Sequence, residues 1–174
     1  RRVGTGSANG PTVGHSGHWR RSERGYPVNG EHYFHDYFGT VAERLNDIDP
    51  ESLEQAATMV RRAHGSGNKV ILAGNGGSAA MASHVAVDLT KAAGIRAINF
   101  NEADLLTCFA NDYGYENWVA KALEFYADSG DLAVLISSSG ASQNMINGAE
   151  QAGVMGLKVI SLSGFSPDNP LRQL

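Results

Sequence analysis

His84 and Asp88 lie four residues apart in "GNGGSAAMASHVAVDL", the spacing that puts two side chains on one helix face. An imidazole and a carboxylate so placed could bind a metal ion, or exchange protons as base and acid. A hydrogen-bonded pair with no further role fits the same spacing. Just before them, Gly74, Asn75, Gly76, Gly77 and Ser78 make a turn of small residues. Glycines let a ligand approach the backbone. The first N–H groups of the helix that follows lack internal partners and can hold an anion. A tight turn with Ser78 as helix N-cap is the alternative. The glycine spacing is not G-x-G-x-x-G, and no G-K-S/T follows, so no nucleotide cofactor is expected.

A second small-residue turn, in "VLISSSGASQNM", places Ser137, Ser138, Ser139 and Ser142 around Gly140. One serine there is explained by helix capping, but four hydroxyls point to a phosphate cradle built from hydroxyl and backbone donors. "ANDYGYENW" adds Asn111 and Asp112 after another helical stretch, in a run whose residue types favour a turn. Cys108, the single cysteine, sits among apolar neighbours in "LLTCFAND" and reads as a buried structural thiol. No intrachain disulfide is possible.

These residues need elements to hold them. Four apolar runs, Val70–Ala73, Ile95–Phe100, Leu132–Ser137 and Lys158–Leu162, read as strands. Helical patterns over Ser78–Ala92, Asp104–Phe109, Asn117–Ala127 and Ser142–Ala152 lie between them. The runs do not alternate with polar residues, as in strands covered on both faces. This order predicts an α/β fold with a parallel sheet, and ligands then bind beyond the C-terminal strand ends. Both small-residue turns would fall on that one edge. Ahead of the first strand, Asp49 and Pro50 mark a helix start, and "HGSGN", with His64, marks its end. Earlier still, Tyr33, Phe34, Tyr37, Phe38, Val41 and Leu45 fall at helical spacing. That aromatic helix fits an interface with another copy or ordinary core packing.

The net charge of −4 is unevenly spread. Residues 1–30 carry +4 and seven glycines, while the remaining 144 residues carry −8. The first stretch reads as a flexible Gly/Arg-rich extension or a cloning remnant. The acidic body is a poor match to nucleic acid, so no nucleic-acid partner is expected. No run of eighteen apolar residues suggests a membrane span, and no signal-like apolar core opens the sequence. A cytoplasmic protein without a membrane partner is the expectation.

Taken together and in order, "GNGGSAAMASH", "ANDYGYEN", "SSSGAS" and "VISLSGF" resemble the motifs of the sugar isomerase (SIS) domain family, and most of all its phosphoheptose isomerase branch. The resemblance runs from about Tyr33 to Leu174, so residues 31–174 are expected to form the SIS domain. It implies a three-layer αβα sandwich, flavodoxin-like or Rossmann-like, with the aromatic helix at its N-terminal side. It implies interconversion of sedoheptulose 7-phosphate and a heptose 7-phosphate by aldose–ketose isomerisation, in a homo-oligomeric enzyme (dimer or tetramer). By position, Asn75, Gly76 and Gly77, with Ser78 beside them, match the first substrate loop. Asn111 and Asp112 match a sugar-contacting pair, and Ser137, Ser138, Ser139 and Ser142 match the phosphate-binding serines. His84 matches a zinc ligand, and Asp88 falls where the isomerases have a glutamate that binds metal and moves the proton. Asp88 is one methylene shorter than that glutamate. The family continues with one more strand and a long helix bearing a glutamine and a histidine. The sequence ends at "SPDNPLRQL" before reaching them, so either the chain is incomplete or that half of the catalytic set is missing. A non-catalytic SIS module that binds a sugar phosphate for regulation or protein interaction is the alternative.

Overall fold

A computed structural model describes residues 30–174, so the reading of the stretch before them as a flexible extension lies outside the described residues. The chain forms two compact units, one ending at Ile48 and one running from Asp49 to Leu174. The described part of the first is helix α1, Gly30–Asn46. Its aromatic residues run along the helix as the spacing predicts. Tyr33 stacks on Tyr37 and Phe34 on Phe38, each pair with centroids 6.3 Å apart, and all four are exposed.

The second unit begins with helix α2, Pro50–Gly65. Asp49 caps it, accepting hydrogen bonds from the N–H groups of Glu51 and Ser52 at 3.1 Å each. Four strands follow: β1 Val70–Gly74, β2 Ala97–Asn99, β3 Leu132–Ser137 and β4 Lys158–Ser163. They pair in the order β2-β1-β3-β4, all parallel. Helix α3, Gly77–Lys91, connects β1 to β2. Helices α4, Ala103–Tyr113, and α5, Trp118–Tyr126, lie between β2 and β3, and α6, Gln143–Val154, lies between β3 and β4. A short 3₁₀ turn, Pro170–Arg172, comes last.

Side chains alternate across β1 and β3, and both faces are buried. Val70, Leu72, Leu132, Val134 and Ile136 pack on Ala63 of α2 and on Ala82 and Ala86 of α3. Ile71, Ala73, Ala133 and Leu135 face Trp118, Val119, Ala122 and Leu123 of α5, with Met145, Ala149 and Ala152 of α6. Burying one such large apolar side chain stabilises the fold by roughly 1.5–3 kcal/mol. The result is the three-layer αβα arrangement, and the continuous apolar runs of the central strands follow from their two covered faces.

Three expectations need correction. The second strand is shorter than Ile95–Phe100: the Ile95 N–H donates to the Leu89 carbonyl at 2.8 Å, closing the end of α3 instead of joining the ladder. Phe100 leaves the strand for the core, where it meets Tyr126. Helix α4 runs on to Tyr113, so Asn111 and Asp112 are helical, and the turn begins at Gly114 with φ 84°. Phe109, packed on the core, holds Tyr113 edge-on at 5.7 Å, and that contact outweighs the local turn preference of the sequence. Cys108 is exposed, because Leu105, Leu106 and Phe109 take the inward face of α4 and leave Cys108 on the outer one.

Candidate functional site

Adjacent strands β1 and β3 end side by side, with Gly74 opposite Ile136. From there β1 feeds α3 on one face of the sheet, and β3 feeds α6 on the other. Neighbouring strands whose connections leave toward opposite faces open a crevice at their C-terminal ends, where α/β sheets bind ligands. Both small-residue turns border this crevice.

The first turn needs its glycines for two different reasons. A Cβ on Gly74 would lie 2.6 Å from the backbone carbon of Ser78, so the strand end can approach α3 only without a side chain. Gly76 holds φ 55° and occupies the cap position of α3. Ser78 is therefore not the N-cap: it lies inside the first turn, its N–H donating to the Asn75 carbonyl at 3.0 Å.

Asn75, between them, is held by two residues that sequence reasoning missed. Its Nδ2 donates to Asn144 Oδ1 at 2.9 Å, and Asn144 Nδ2 donates back to Asn75 Oδ1 at 2.8 Å. The Tyr115 hydroxyl donates to the same Asn75 oxygen at 3.0 Å. Asn144 lies in the first turn of α6 and is only 2% exposed. A buried asparagine next to a serine-rich turn was a readable signal, but its partner is 69 residues away in sequence.

In the second turn Ser137 is 4% exposed, and its hydroxyl donates to Ser142 Oγ at 3.2 Å. Ser142 occupies the N-cap position of α6 without making a side-chain cap bond, so its hydroxyl is not committed to the helix N–H groups. Ser139 Oγ accepts from the Ala141 N–H at 3.2 Å, and the Gly140 N–H closes the turn on the Ser137 carbonyl at 3.0 Å. The final segment braces this turn. The Gly164 N–H donates to the Ser138 carbonyl and the Leu171 N–H to the Gly140 carbonyl, at 3.0 and 2.9 Å. Buried Asn169 ties that segment together through Ser163 Oγ, the Ser166 carbonyl and the Arg172 N–H. No charged side chain lies within either turn, so an anion there would meet hydroxyls, amides and the positive end of the α6 dipole.

The remaining predicted residues stand apart from this network. Asn111 Nδ2 donates to Asp112 Oδ1 at 2.8 Å, and Cys108 Sγ lies 3.7 Å from Asp112 Oδ2, all on the exposed end of α4. Tyr115, three residues beyond Asp112, carries the α4 end to the crevice through its bond to Asn75. His84 Nε2 lies 3.5 Å from Asp88 Oδ2, with side chains 80% and 62% exposed. Among the described residues no group of three or more His, Cys, Asp or Glu could hold a metal ion. A catalytic zinc site uses about three protein ligands, so His84 and Asp88 alone do not fit one.

Comparison with known proteins places this architecture. The SIS domain family model matches residues 32–164. A phosphoheptose isomerase of Aliarcobacter butzleri (strain RM4018) is 40% identical over 131 residues, spanning 72% of this chain and 69% of that one. That of Serratia proteamaculans (strain 568) is 37% identical over 131 residues, spanning 72% and 68%. The solved phosphoheptose isomerase GmhA from Neisseria gonorrhoeae superposes with a TM-score of 0.76 at 28% identity, over 83% of this chain and 80% of its own. On these matches the chain belongs to the SIS domain family and groups with its phosphoheptose isomerases.

Proposed function

We propose that this chain is a sugar-phosphate isomerase that interconverts sedoheptulose 7-phosphate and a heptose 7-phosphate. The observation that carries the reading is the β1/β3 crevice, where an anchored asparagine and a braced serine turn share one sheet edge. In this reading Ser137, Ser138, Ser139 and Ser142, with the first N–H groups of α6, hold the phosphate. Asn75, Gly76, Gly77 and Ser78, with Asn111 and Asp112, line the sugar. Phosphate binding far from the reacting carbons lends energy to orienting them.

The reaction is a proton shift between neighbouring carbons. Asp88 takes the proton alpha to the carbonyl while the carbonyl oxygen gains one from an acid, giving an enediol. Returning the proton to the former carbonyl carbon, while the neighbouring enediol hydroxyl gives its proton back to the acid, completes the exchange of aldose and ketose with no external oxidant. In this reading His84, one helical turn away with its Nε2 3.5 Å from Asp88 Oδ2, holds or passes a proton to Asp88. Asp88 is a short base, and a shift of about 1 Å can cost on the order of 100-fold in rate. A zinc ion would need a ligand beyond His84 and Asp88, and no step is assigned to it.

Both catalytic side chains lie on an exposed face of α3 that also carries Met81, Val85 and Val87. A second copy covering that face would exclude water from the base. The exposed aromatic residues of α1 supply further interface surface, since aromatics are enriched at interface cores. A homo-oligomer, dimer or tetramer, follows in this reading, as does a cytoplasmic location. Among the described residues no helix is long and apolar enough to cross a membrane.

The experiment is turnover of sedoheptulose 7-phosphate by the full-length protein. Conversion to an aldose phosphate is expected. Tight binding with no conversion would instead favour a sugar-phosphate-binding module without catalysis.

A further inference from the structure

We propose that Asn144 and Tyr115 are positioning residues that fix the Asn75 amide as a hydrogen-bond donor toward the crevice. The inference rests on the reading of Asn75 as a contact to the sugar phosphate. A free asparagine offers a ligand either its oxygen or its nitrogen. Here that choice is removed. Asn75 Oδ1 accepts from Asn144 Nδ2 at 2.8 Å and from the Tyr115 hydroxyl at 3.0 Å, which uses both of its lone pairs. Asn75 Nδ2 gives one proton to Asn144 Oδ1 at 2.9 Å. Its second proton has no partner among the described residues and is what remains for a ligand.

The holding residues are themselves held. Asn144 is fixed by burial in the first turn of α6. Tyr115 is half exposed, but its loop is pinned to the same helix. Asn147 Nδ2 donates to the Glu116 carbonyl and to Asn117 Oδ1, both at 2.9 Å. Gln143 Nε2 in turn donates to Asn147 Oδ1 at 2.7 Å. Helix α6 therefore carries the serine turn at its start, the amide partner of Asn75 in its first turn, and the anchor of the Tyr115 loop one turn later. A donor held in this way recognises an oxygen of the ligand, either a sugar oxygen that gains charge as the alpha proton leaves or a phosphate oxygen. It would not serve a ligand hydroxyl that needs an acceptor.

The test is a double-mutant cycle on the full-length protein, using Tyr115→Phe, Asn75→Ala and the pair. Tyr115→Phe removes one hydroxyl from a half-exposed side chain. It should lower kcat/KM for sedoheptulose 7-phosphate roughly 3- to 10-fold, the span of one hydrogen bond. In the Asn75→Ala background the same change should cost nothing further, because the amide it orients is gone. Asn144→Asp should lower kcat/KM more than Tyr115→Phe, since it replaces the Nδ2 donor to Asn75 Oδ1 with a carboxylate oxygen that repels it. Inhibition by inorganic phosphate separates the two sources of the acceptor. If it weakens in Tyr115→Phe, the donor meets the phosphate; if it is unchanged, the donor meets the sugar, and either result supports the assignment. Equal losses from Tyr115→Phe in both backgrounds would overturn the positioning role, as would no loss beside an impaired Asn75→Ala, and the site reading would survive. A fully active Asn75→Ala would instead remove the site reading, and this inference with it.

Discussion

The two ends of the central strands treat polar groups in opposite ways. At the N-terminal end of β1 and β3, Lys69 and Asp131 are buried and spent on each other. Lys69 Nζ contacts Asp131 Oδ2 at 2.5 Å and Asp128 Oδ2 at 2.6 Å. The Lys69 backbone N–H donates to Asp131 Oδ1 at 2.9 Å, and the Asp128 N–H to Asp131 Oδ2 at 2.8 Å. At the C-terminal end, Ser137 and Ser142 share one long bond, and the Asn75 amide keeps a spare proton. Neutral donors with capacity in reserve suit a ligand that comes and goes. A buried charge without its partner does not, because its desolvation goes uncompensated. One edge thus stabilises the sheet, and the other keeps hydrogen-bonding capacity in reserve.

The largest expected effect breaks the closed edge. Asp131→Ala leaves Lys69 buried beside a lost partner and should destabilise the fold by about 3–5 kcal/mol. Denaturant unfolding measures it, and KM of the surviving folded protein should hardly move. Next comes Asp88→Asn on the exposed face of α3, which should lower kcat on the order of 1,000-fold if Asp88 is the general base. Its melting temperature should stay near wild type, because Asp88 is exposed within the single chain and Asn keeps its size and shape. If Asp88→Asn instead unfolds the protein, its assignment as a base rather than a structural group is wrong.

Much of this division was legible in the sequence, and the limits have physical causes. The strands β1 and β3 show as unbroken apolar runs because both of their faces are covered. The glycine and serine turns show because close backbone approach and hydroxyl donors need particular residue types. The extent of α4 did not show, since "NDYG" favours a turn locally and only the packing of Phe109 and Tyr113 keeps it helical. The outward placement of Cys108 was hidden for the same reason. The pairing of Asn75 with Asn144 depends on β1 and β3 being neighbours, which no local pattern states.

A smaller effect is expected in the pH dependence of stability. Burial alone would lower the Lys69 pKa, but hydrogen bonds and charge from Asp128 and Asp131 raise it above the usual lysine value. Burial alone would raise that of Asp131, but the Lys69 N–H and ammonium and the Asp128 N–H hold it below the usual carboxylate value. The Asp131 contribution is thus present above the ordinary carboxylate pKa and is lost as pH falls through the lowered folded value. The Lys69 contribution is present below the ordinary lysine pKa and is lost as pH rises through the raised one. Stability from this edge should be flat near neutrality and fall at both extremes. Asp131→Asn should flatten the acid limb in pH-dependent unfolding; an unchanged acid limb would show that the pair does not govern it.

In the proposed function the open edge binds a sugar phosphate through the serine turn. The most direct measurement is calorimetric titration of sedoheptulose 7-phosphate into the full-length protein and into the double variant Ser137→Ala, Ser142→Ala. Removing both partners of one hydroxyl pair is nearly neutral for folding, so the variant should melt as the wild type does. Its affinity should fall by roughly 100-fold or more, as expected for two hydrogen bonds to a charged group. Wild-type affinity in the folded double variant would contradict the account.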